Sequence, residues 1–337
     1  MAKRVGIDLG TANTLVYLAG EGVVLNEPTV VAVRADDNKV VAVGQDAKEM
    51  LGRTPGNIVA SRPLRDGVIA DYGITQEMLS YFIDKVCGRS RFIKPEIMVC
   101  IPSGVTQVEK RAVLDATMAA GARSVYLIEE PLAAAIGAKV PIAQPAGHMI
   151  LDSGGGTTDI AVISLGGVVV HKSIRVAGNK FEESIANFLR KKFNILVGER
   201  SVEEIKIKLG NAIVDPDKPV SLEVKGRDSV SGLPRTIQVT DIEINEPIIQ
   251  TLKPIVSTIR EVFEITPPEL TSDIIDKGIV LSGGTVLLKN YDKYIASEIG
   301  VPAYVAEDPL YCVVRGTGVA LENLELYKKS ISRNEYQ

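Results

Sequence analysis

The segment Val5-Gly6-Ile7-Asp8-Leu9-Gly10-Thr11-Ala12-Asn13-Thr14 is echoed in the second half of the chain by Met149-Ile150-Leu151-Asp152-Ser153-Gly154-Gly155-Gly156-Thr157-Thr158-Asp159. In both copies an apolar stretch ends at an Asp and a turn rich in Gly and Thr follows. A second apolar stretch then resumes, Leu15-Val16-Tyr17-Leu18 in one and Ile160-Ala161-Val162-Ile163 in the other. Strand, special turn, strand is a β-hairpin. It differs from the GxGxxG dinucleotide fingerprint, whose glycines must open a helix. Two related halves are therefore expected, and 337 residues suffice for about two domains.

Hydrophobic residues make up 45% and charged residues 24%, the usage of a globular chain rather than a disordered one. The 38 Lys plus Arg against 42 Asp plus Glu leave a net charge of −4, so no basic field advertises nucleic acid, and none is expected as a partner. Cys87, Cys100 and Cys312 are far apart and odd in number, which fits structural thiols in a reducing cytoplasm. With only His148 and His171, a multi-histidine metal site is excluded. Acid and glycines interrupt the N-terminal segment before any long apolar run, so membrane contact is expected to be peripheral.

After the first hairpin the pattern predicts short strands at 23–25, 29–33 and 40–43, a helix near 45–51, and a Gly/Pro/Arg-rich connection over 52–71. Helices are expected over 75–86 with Thr75 as cap, over 106–120, and over 131–138 with Pro131 in the first turn. Strands at 97–101 and 125–128 separate them. The second half reads as strands at 149–151, 160–163 and 168–170, helices at about 180–193 and 202–211, and a β-rich insertion near 215–240. A helix over 242–263 interrupted by Pro247 and Pro254, a buried strand at 279–281, and a turn at Gly316-Thr317-Gly318 complete it.

A Gly/Thr-rich turn between strands exposes successive backbone N–H groups, and glycine lets phosphate oxygens approach without a Cβ in the way. Two such turns can grip one polyphosphate from opposite sides, and Asp8 and Asp152 can hold a hydrated Mg2+, which needs few carboxylates. Each turn alone also reads as an ordinary hairpin; the pairing, each preceded by Asp, favours the ligand. Gly283-Gly284 after a buried strand reads either as a helix-entry turn or as bare backbone beside a nucleoside. Glu129-Glu130-Pro131 reads either as acids favoured by a helix N-terminus or as a carboxylate that orients the water attacking a γ-phosphate.

The two turns, the Ile128-Glu129-Glu130-Pro131-Leu132-Ala133-Ala134-Ala135-Ile136-Gly137 segment and Leu281-Ser282-Gly283-Gly284 together resemble the actin, sugar-kinase and heat-shock ATPase superfamily. Within it the whole chain resembles the MreB-type bacterial actins, down to Ala306-Glu307-Asp308-Pro309-Leu310 and Gly316-Thr317-Gly318. The resemblance implies an α/β fold of two duplicated ribonuclease-H-like halves around a nucleotide cleft, each with a small subdomain. Residues 1–144 and 315–337 would form the first half with an insertion at about 33–70, and 145–314 the second with an insertion at about 182–243. It implies ATP and Mg2+ as cofactors. Gly10, Thr11, Ala12 and Asn13 would lie on one side of the phosphates and Gly155, Gly156 and Thr157 on the other, with Asp8 and Asp152 organising the metal, mainly through water. Glu130 matches the water-activating carboxylate, with Thr157 or Thr158 helping to place the water. Glu203, Glu204, Ile205 and Lys206, and Gly283, Gly284, Thr285 and Val286, match the adenosine-contacting segments. Thr285 stands where a third glycine is common, and Asp159 where Glu is more usual.

The resemblance also implies an ATP hydrolase whose copies stack head to tail into paired filaments on the inner face of the cytoplasmic membrane. There they would work with cell-wall elongation and shape-determining membrane proteins to organise peptidoglycan synthesis and rod shape. Since the chain opens directly on its first strand, the expected membrane contact is Phe92 and Ile93, set among cations in Arg89-Ser90-Arg91-Phe92-Ile93-Lys94; the alternative is that both tuck into the core. A small-molecule kinase of the same superfamily is the competing function, for which the short 33–70 stretch offers little room for an acceptor pocket. A chaperone-type ATPase would need a substrate domain after Gly318.

Overall fold

The computed structural model describes residues 2–88 and 93–333. The chain opens with β1 (Arg4–Leu9), β2 (Asn13–Leu18) and β3 (Gly22–Pro28), an antiparallel meander. A small three-stranded sheet follows from β4 (Val31–Arg34), β5 (Val40–Val43) and β6 (Ile58–Ser61), with α1 (Gln45–Met50) against it. The ribbon β7 (Leu64–Arg65) and β8 (Val68–Ile69) leads to α2 (Tyr72–Cys87), β9 (Glu96–Ile101), α3 (Gln107–Ala119), β10 (Ser124–Glu129) and α4 (Glu130–Gly137). A second meander, β11 (His148–Ser153), β12 (Thr158–Ser164) and β13 (Gly167–Ile174), begins the next unit. After it come α5 (Gly178–Phe193), β14 (Ile195–Leu196), α6 (Glu199–Leu209), β15 (Ser221–Asp228), β16 (Pro234–Thr240), α7 (Asp241–Ile265) and α8 (Pro268–Lys277). The chain closes with β17 (Ile279–Ser282), α9 (Tyr291–Ile299), β18 (Ala303–Val305), α10 (Cys312–Glu322), α11 (Leu324–Tyr327) and β19 (Ile331–Arg333).

The repeat read in the sequence is a repeat of topology. One sheet runs β3-β2-β1-β9-β10 with β19 added at its edge, and the other runs β13-β12-β11-β17-β18. In each, a hairpin meander is joined by two parallel strands, so β9 corresponds to β17 and β10 to β18. Parallel strands buried on both faces need continuous apolar runs, and Ile97 to Ile101 and Ile279 to Leu281 supply them. This duplicated ribonuclease-H-like order places the two Gly-rich turns, each after the first strand of its sheet, at the facing ends of the sheets.

Three sequence expectations are corrected. Helix α2 starts at Tyr72, capped by the Asp71 carboxylate, which accepts from Ile74 N at 3.0 Å; Thr75 lies inside it and donates to Asp71 O. Helix α7 runs unbroken through Pro247 and Pro254. Each interior proline costs about 3 kcal/mol, but α7 buries Ile244, Ile248, Leu252, Ile255, Ile259 and Val262, each worth about 1.5–3 kcal/mol, so burial wins. The third correction is Gly316-Thr317-Gly318, which is not a turn but lies within α10.

That helix is pressed on two sides. A Cβ at Gly316 would overlap the carbonyl oxygen of Ala133 in α4, and one at Gly137 would overlap that of Cys312, so α4 and α10 touch backbone to backbone. Two residues on, a Cβ at Gly318 would enter the Tyr17 ring, and one at Gly6 would sit 2.9 Å from Gly318 N. Since α10 packs on β1 and β9 while α4 packs on β11 and β12, this contact joins the two sheets. Gly316→Ala is expected to cost about 3 kcal/mol or more, read from the urea midpoint, despite alanine's higher helix propensity. Gly56→Ala, which meets nothing within 4 Å, should stay within about 0.5 kcal/mol.

Candidate functional site

Between the sheets lies a cleft of about 400 Å3, lined from one side by Asp8 and Gly10 to Asn13 and from the other by Asp152 and Gly154 to Thr157. The two turns meet: a Cβ at Gly155 would come within 2.6 Å of the Ala12 Cβ, and one at Gly156 within 2.5 Å of the Thr11 hydroxyl. Each turn is braced from behind. Thr29 donates its hydroxyl to Gly10 O at 2.6 Å and its N–H to Ala12 O at 2.9 Å. On the other side, Gly178 N and Asn179 N at the start of α5 donate to Gly154 O and Gly155 O. These bonds occupy carbonyls; the Gly154 N–H is used within its own turn, on Thr157 O at 3.0 Å, and the remaining turn amides are the groups with capacity for an anion.

Thr285 explains its own departure from glycine, because its hydroxyl donates to Gly154 O at 2.6 Å and so ties the β17 end to the second turn. Gly283, with φ of 89°, cannot carry a side chain, since a Cβ there would overlap the Ser153 carbonyl. Gly283, Gly284 and Thr285 all line the cleft.

Some expected site residues are elsewhere. Helix α6 turns Glu203 and Lys206 toward the cleft, three residues apart on one face. Ile205 is buried in the core, and Glu204 is on the outer surface, paired with Lys208 at 2.5 Å. Val286 is core, and Leu287 and Leu288 line the cleft in its place. Thr157 lines the cleft, but Thr158 does not: as the first β12 residue it points to the opposite face, where its hydroxyl bonds Ser153 Oγ and Val176 O, both at 2.7 Å. Ile93 is 58% exposed rather than tucked into the core, and Phe92 lies outside the described residues.

Several lining residues carried no sequence signal. Lys48 of α1 reaches Glu203 of α6 at 2.8 Å, an ion pair between the small sheet's helix and the second half. Lys206 pairs with Glu182 of α5 at 2.5 Å. Gly67, in the β7–β8 turn, donates its N–H to the Thr11 hydroxyl at 2.9 Å, and Arg62 also lines the wall. No spacing rule connects Gly67 to Thr11; only the β7–β8 ribbon brings them together.

The cleft floor is acidic. Burial, moderated by a hydrogen bond from Cys100 and raised further by Asp152, pushes Asp8 up to about 7. Burial likewise takes Asp152 to about 6 against a hydrogen bond from Ser282, and Asp159 to about 7. Glu130, the first residue of α4, is pushed well above the usual range by burial and then by the charges of Asp159, Asp8 and Asp152. Burial and Asp8 also push the Cys100 thiol up, so it stays an S–H donor. Among the described residues none of these four acids pairs with Lys or Arg, and Asp159 Oδ2 is buried with no hydrogen-bond partner. Asp159 Oδ1 accepts from Ser103 N at 2.9 Å, a link between the halves. Uncompensated carboxylates fit a divalent cation. Among the described residues no three acid, His or Cys side chains cluster tightly enough to hold a metal alone, so donors from water and phosphate would complete the shell.

Comparison with known proteins agrees with this geometry. The family described as MreB/Mbl protein matches residues 2–329. Cell shape-determining protein Mbl of Bacillus subtilis (strain 168) is 50% identical over 333 residues, covering 98% of this chain and 99% of that protein. Cell shape-determining protein MreB of Escherichia coli (strain K12) is 50% identical over 332 residues, covering 97% and 95%. The crystal structure of MreB5 of Spiroplasma citri bound to ADP superposes with a TM-score of 0.91 at 38% identity, covering 96% of this chain and 99% of that one. Its AMPPNP-bound form gives 0.91 at 37% identity, covering 98% of each. The MamK double helical filament, at 20% identity and a TM-score of 0.80 over 96% of this chain and 99% of that one, shares the actin-like fold. With the paired turns, the duplicated sheets and near-complete coverage pointing the same way, the chain belongs to the MreB/Mbl family.

Proposed function

We propose that this protein is an actin-like ATPase that closes on Mg2+-ATP, assembles into filaments on the inner face of the cytoplasmic membrane and there organises peptidoglycan synthesis and rod shape. The observation that carries the reading is the meeting of two side-chain-poor turns, Gly10–Asn13 and Gly154–Thr157, above acids that pair with no cation among the described residues. The similar MreB5 structures bound to ADP and AMPPNP support a nucleotide in this cleft. The relatives' description as cell shape-determining proteins supports the cellular role. Among the described residues no helix is long and apolar enough to cross a membrane, so the membrane contact proposed is peripheral, through Phe92 and the exposed Ile93. The halves are proposed to divide near 144/145 and 314/315.

In this reading the amides of both turns donate to phosphate oxygens, and Leu15, Ile207 and Leu288 with the Gly283–Thr285 backbone bound the nucleoside. Asp8 and Asp152 hold the waters of Mg2+, which when bound neutralises charge on the polyphosphate. Glu130 orients the attacking water and, as a carboxylate, would accept its proton once a bound cation offsets the neighbouring acids that push its pKa up. Thr157 lines the same cleft and helps to place the water. ATP acts as an assembly switch: closure matches protomer surfaces, and phosphate release weakens them.

Glu130→Ala should slow phosphate release by about 100-fold or more with nucleotide affinity changed little, whereas Gly155→Val should abolish binding by driving a side chain into Ala12. Equal loss of binding in both, in a fluorescent-ADP titration, would overturn these roles. The acids also set a pH dependence. Asp8, Asp152 and Asp159 bind more protons folded than unfolded between about pH 4 and about 7, so metal-free, nucleotide-free protein loses stability as pH rises through that window. Its Tm in EDTA should fall from pH 5 to pH 8, and Asp152→Asn should flatten the fall, gaining on the order of 1–3 kcal/mol at pH 8. Sedimentation tests the whole reading: pelleting should need ATP and increase on anionic vesicles, with the gain lost in Phe92→Ser, Ile93→Ser protein. A monomer under every condition, releasing phosphate only when a small-molecule acceptor is present, would sink it.

A further inference from the structure

Each cleft aspartate has one protein donor, and the two donors occupy equivalent places in the duplicated fold. In the first half β1 and β9 pair in parallel with Ile7 opposite Val99, which sets Cys100 beside Asp8. The Cys100 thiol donates to Asp8 Oδ1 at 3.2 Å. In the second half β11 and β17 pair in parallel with Asp152 opposite Ser282, whose hydroxyl donates to Asp152 Oδ1 in a short hydrogen bond. The strands β9 and β17 are counterparts in the two sheets, so one arrangement occurs twice with different chemistry, S–H in one half and O–H in the other. Cys100 is 3% exposed and Ser282 fully buried. Among the described residues neither Oδ2 accepts a hydrogen bond, so in both carboxylates one oxygen is held from behind and the other is left for the cleft.

We propose that Cys100 and Ser282 are a duplicated pair of positioning residues that fix the rotamers of Asp8 and Asp152 so that Oδ2 of each faces the water shell of a divalent cation. The inference rests on the reading that these aspartates hold Mg2+ through water. A carboxylate that grips a cation through water has no short metal bond to orient it, so its direction must come from the protein. A donor fixed on a neighbouring core strand supplies that direction, and a charge-assisted hydrogen bond from a buried group is strong enough to hold it. Without the donor the carboxylate is free to rotate and take a hydrogen bond from turn backbone, which leaves the cation's waters without an acceptor. A thiol is the weaker donor, but in the buried floor it competes with no water for Asp8.

The test is ADP binding by the full chain, measured in EDTA and across a Mg2+ series, with the Mg2+ concentration at half-maximal enhancement as the readout. Cys100→Ala, Cys100→Val and Ser282→Ala should each raise that midpoint about three- to tenfold while leaving affinity in EDTA within about twofold, and Cys100→Ser should return it to within about twofold of the parent. The valine variant fills the space the thiol occupied, so a packing defect in the alanine variant does not decide the result. Unchanged midpoints in the Ala and Val variants, with Asp8→Ala and Asp152→Ala shifting theirs, would overturn the positioning role alone. A loss of affinity equal in EDTA and in Mg2+ would also overturn it, because that is the mark of a packing role. If Asp8→Ala and Asp152→Ala leave the midpoint unchanged, the magnesium reading falls and this inference with it.

Discussion

Backbone meets backbone at the centre of this molecule, and most of the architecture serves those contacts. Gly155 and Gly156 lie against Ala12 and Thr11 where the two turns meet, and Gly137 and Gly316 lie against each other's helices where the halves join. A methyl group at Gly137 or Gly316 would have to displace a backbone carbonyl, and one at Gly155 or Gly156 the Ala12 methyl or the Thr11 hydroxyl, which a packed interior concedes only at a cost of kilocalories. The two sheets can therefore face a common cleft at a separation set by the peptide chain itself. Side chains join the halves as well, where Lys48 meets Glu203 and where the Asp159 carboxylate accepts from Ser103 N.

The second organising fact is charge. Lys48 and Lys206 of the cleft wall are each paired with a glutamate, while Asp8, Asp152 and Glu130 line a floor, with Asp159 buried behind it, that no Lys or Arg pairs with among the described residues. Burying carboxylates together costs free energy, and the raised pKa values express that cost. A protein that keeps such a site has something to gain when a cation and a polyphosphate arrive. In the proposed function that gain would draw the halves together, so ligand binding and closure would be linked by the same electrostatics.

Much of this was legible in the chain. The repeated Asp and Gly/Thr turns announced two equivalent hairpins, and the apolar runs near 97–101 and 279–281 announced their buried parallel neighbours. Local rules misled where tertiary burial outweighed them. Two prolines suggested a broken helix, but the continuous apolar face of α7 holds it whole, and Gly-Thr-Gly suggested a turn, yet both glycines serve helix packing within α10. Runs of consecutive residues misled at the site as well. Helical and strand periodicity sends Ile205 and Thr158 away from the cleft that Glu203, Lys206 and Thr157 line.

The sequence by itself determined the duplication, the strand-turn-strand elements, the acids at the strand ends and the absence of bulk where phosphate would lie, because these are properties of residue type and short-range spacing. Only the tertiary structure decided that Gly67 closes over Thr11, that Lys48 reaches Glu203, and that Cys100 and Ser282 stand behind equivalent aspartates. Those pairings are distant along the chain and follow from parallel register and sheet order, and no local pattern of side chains encodes which strand will lie beside which.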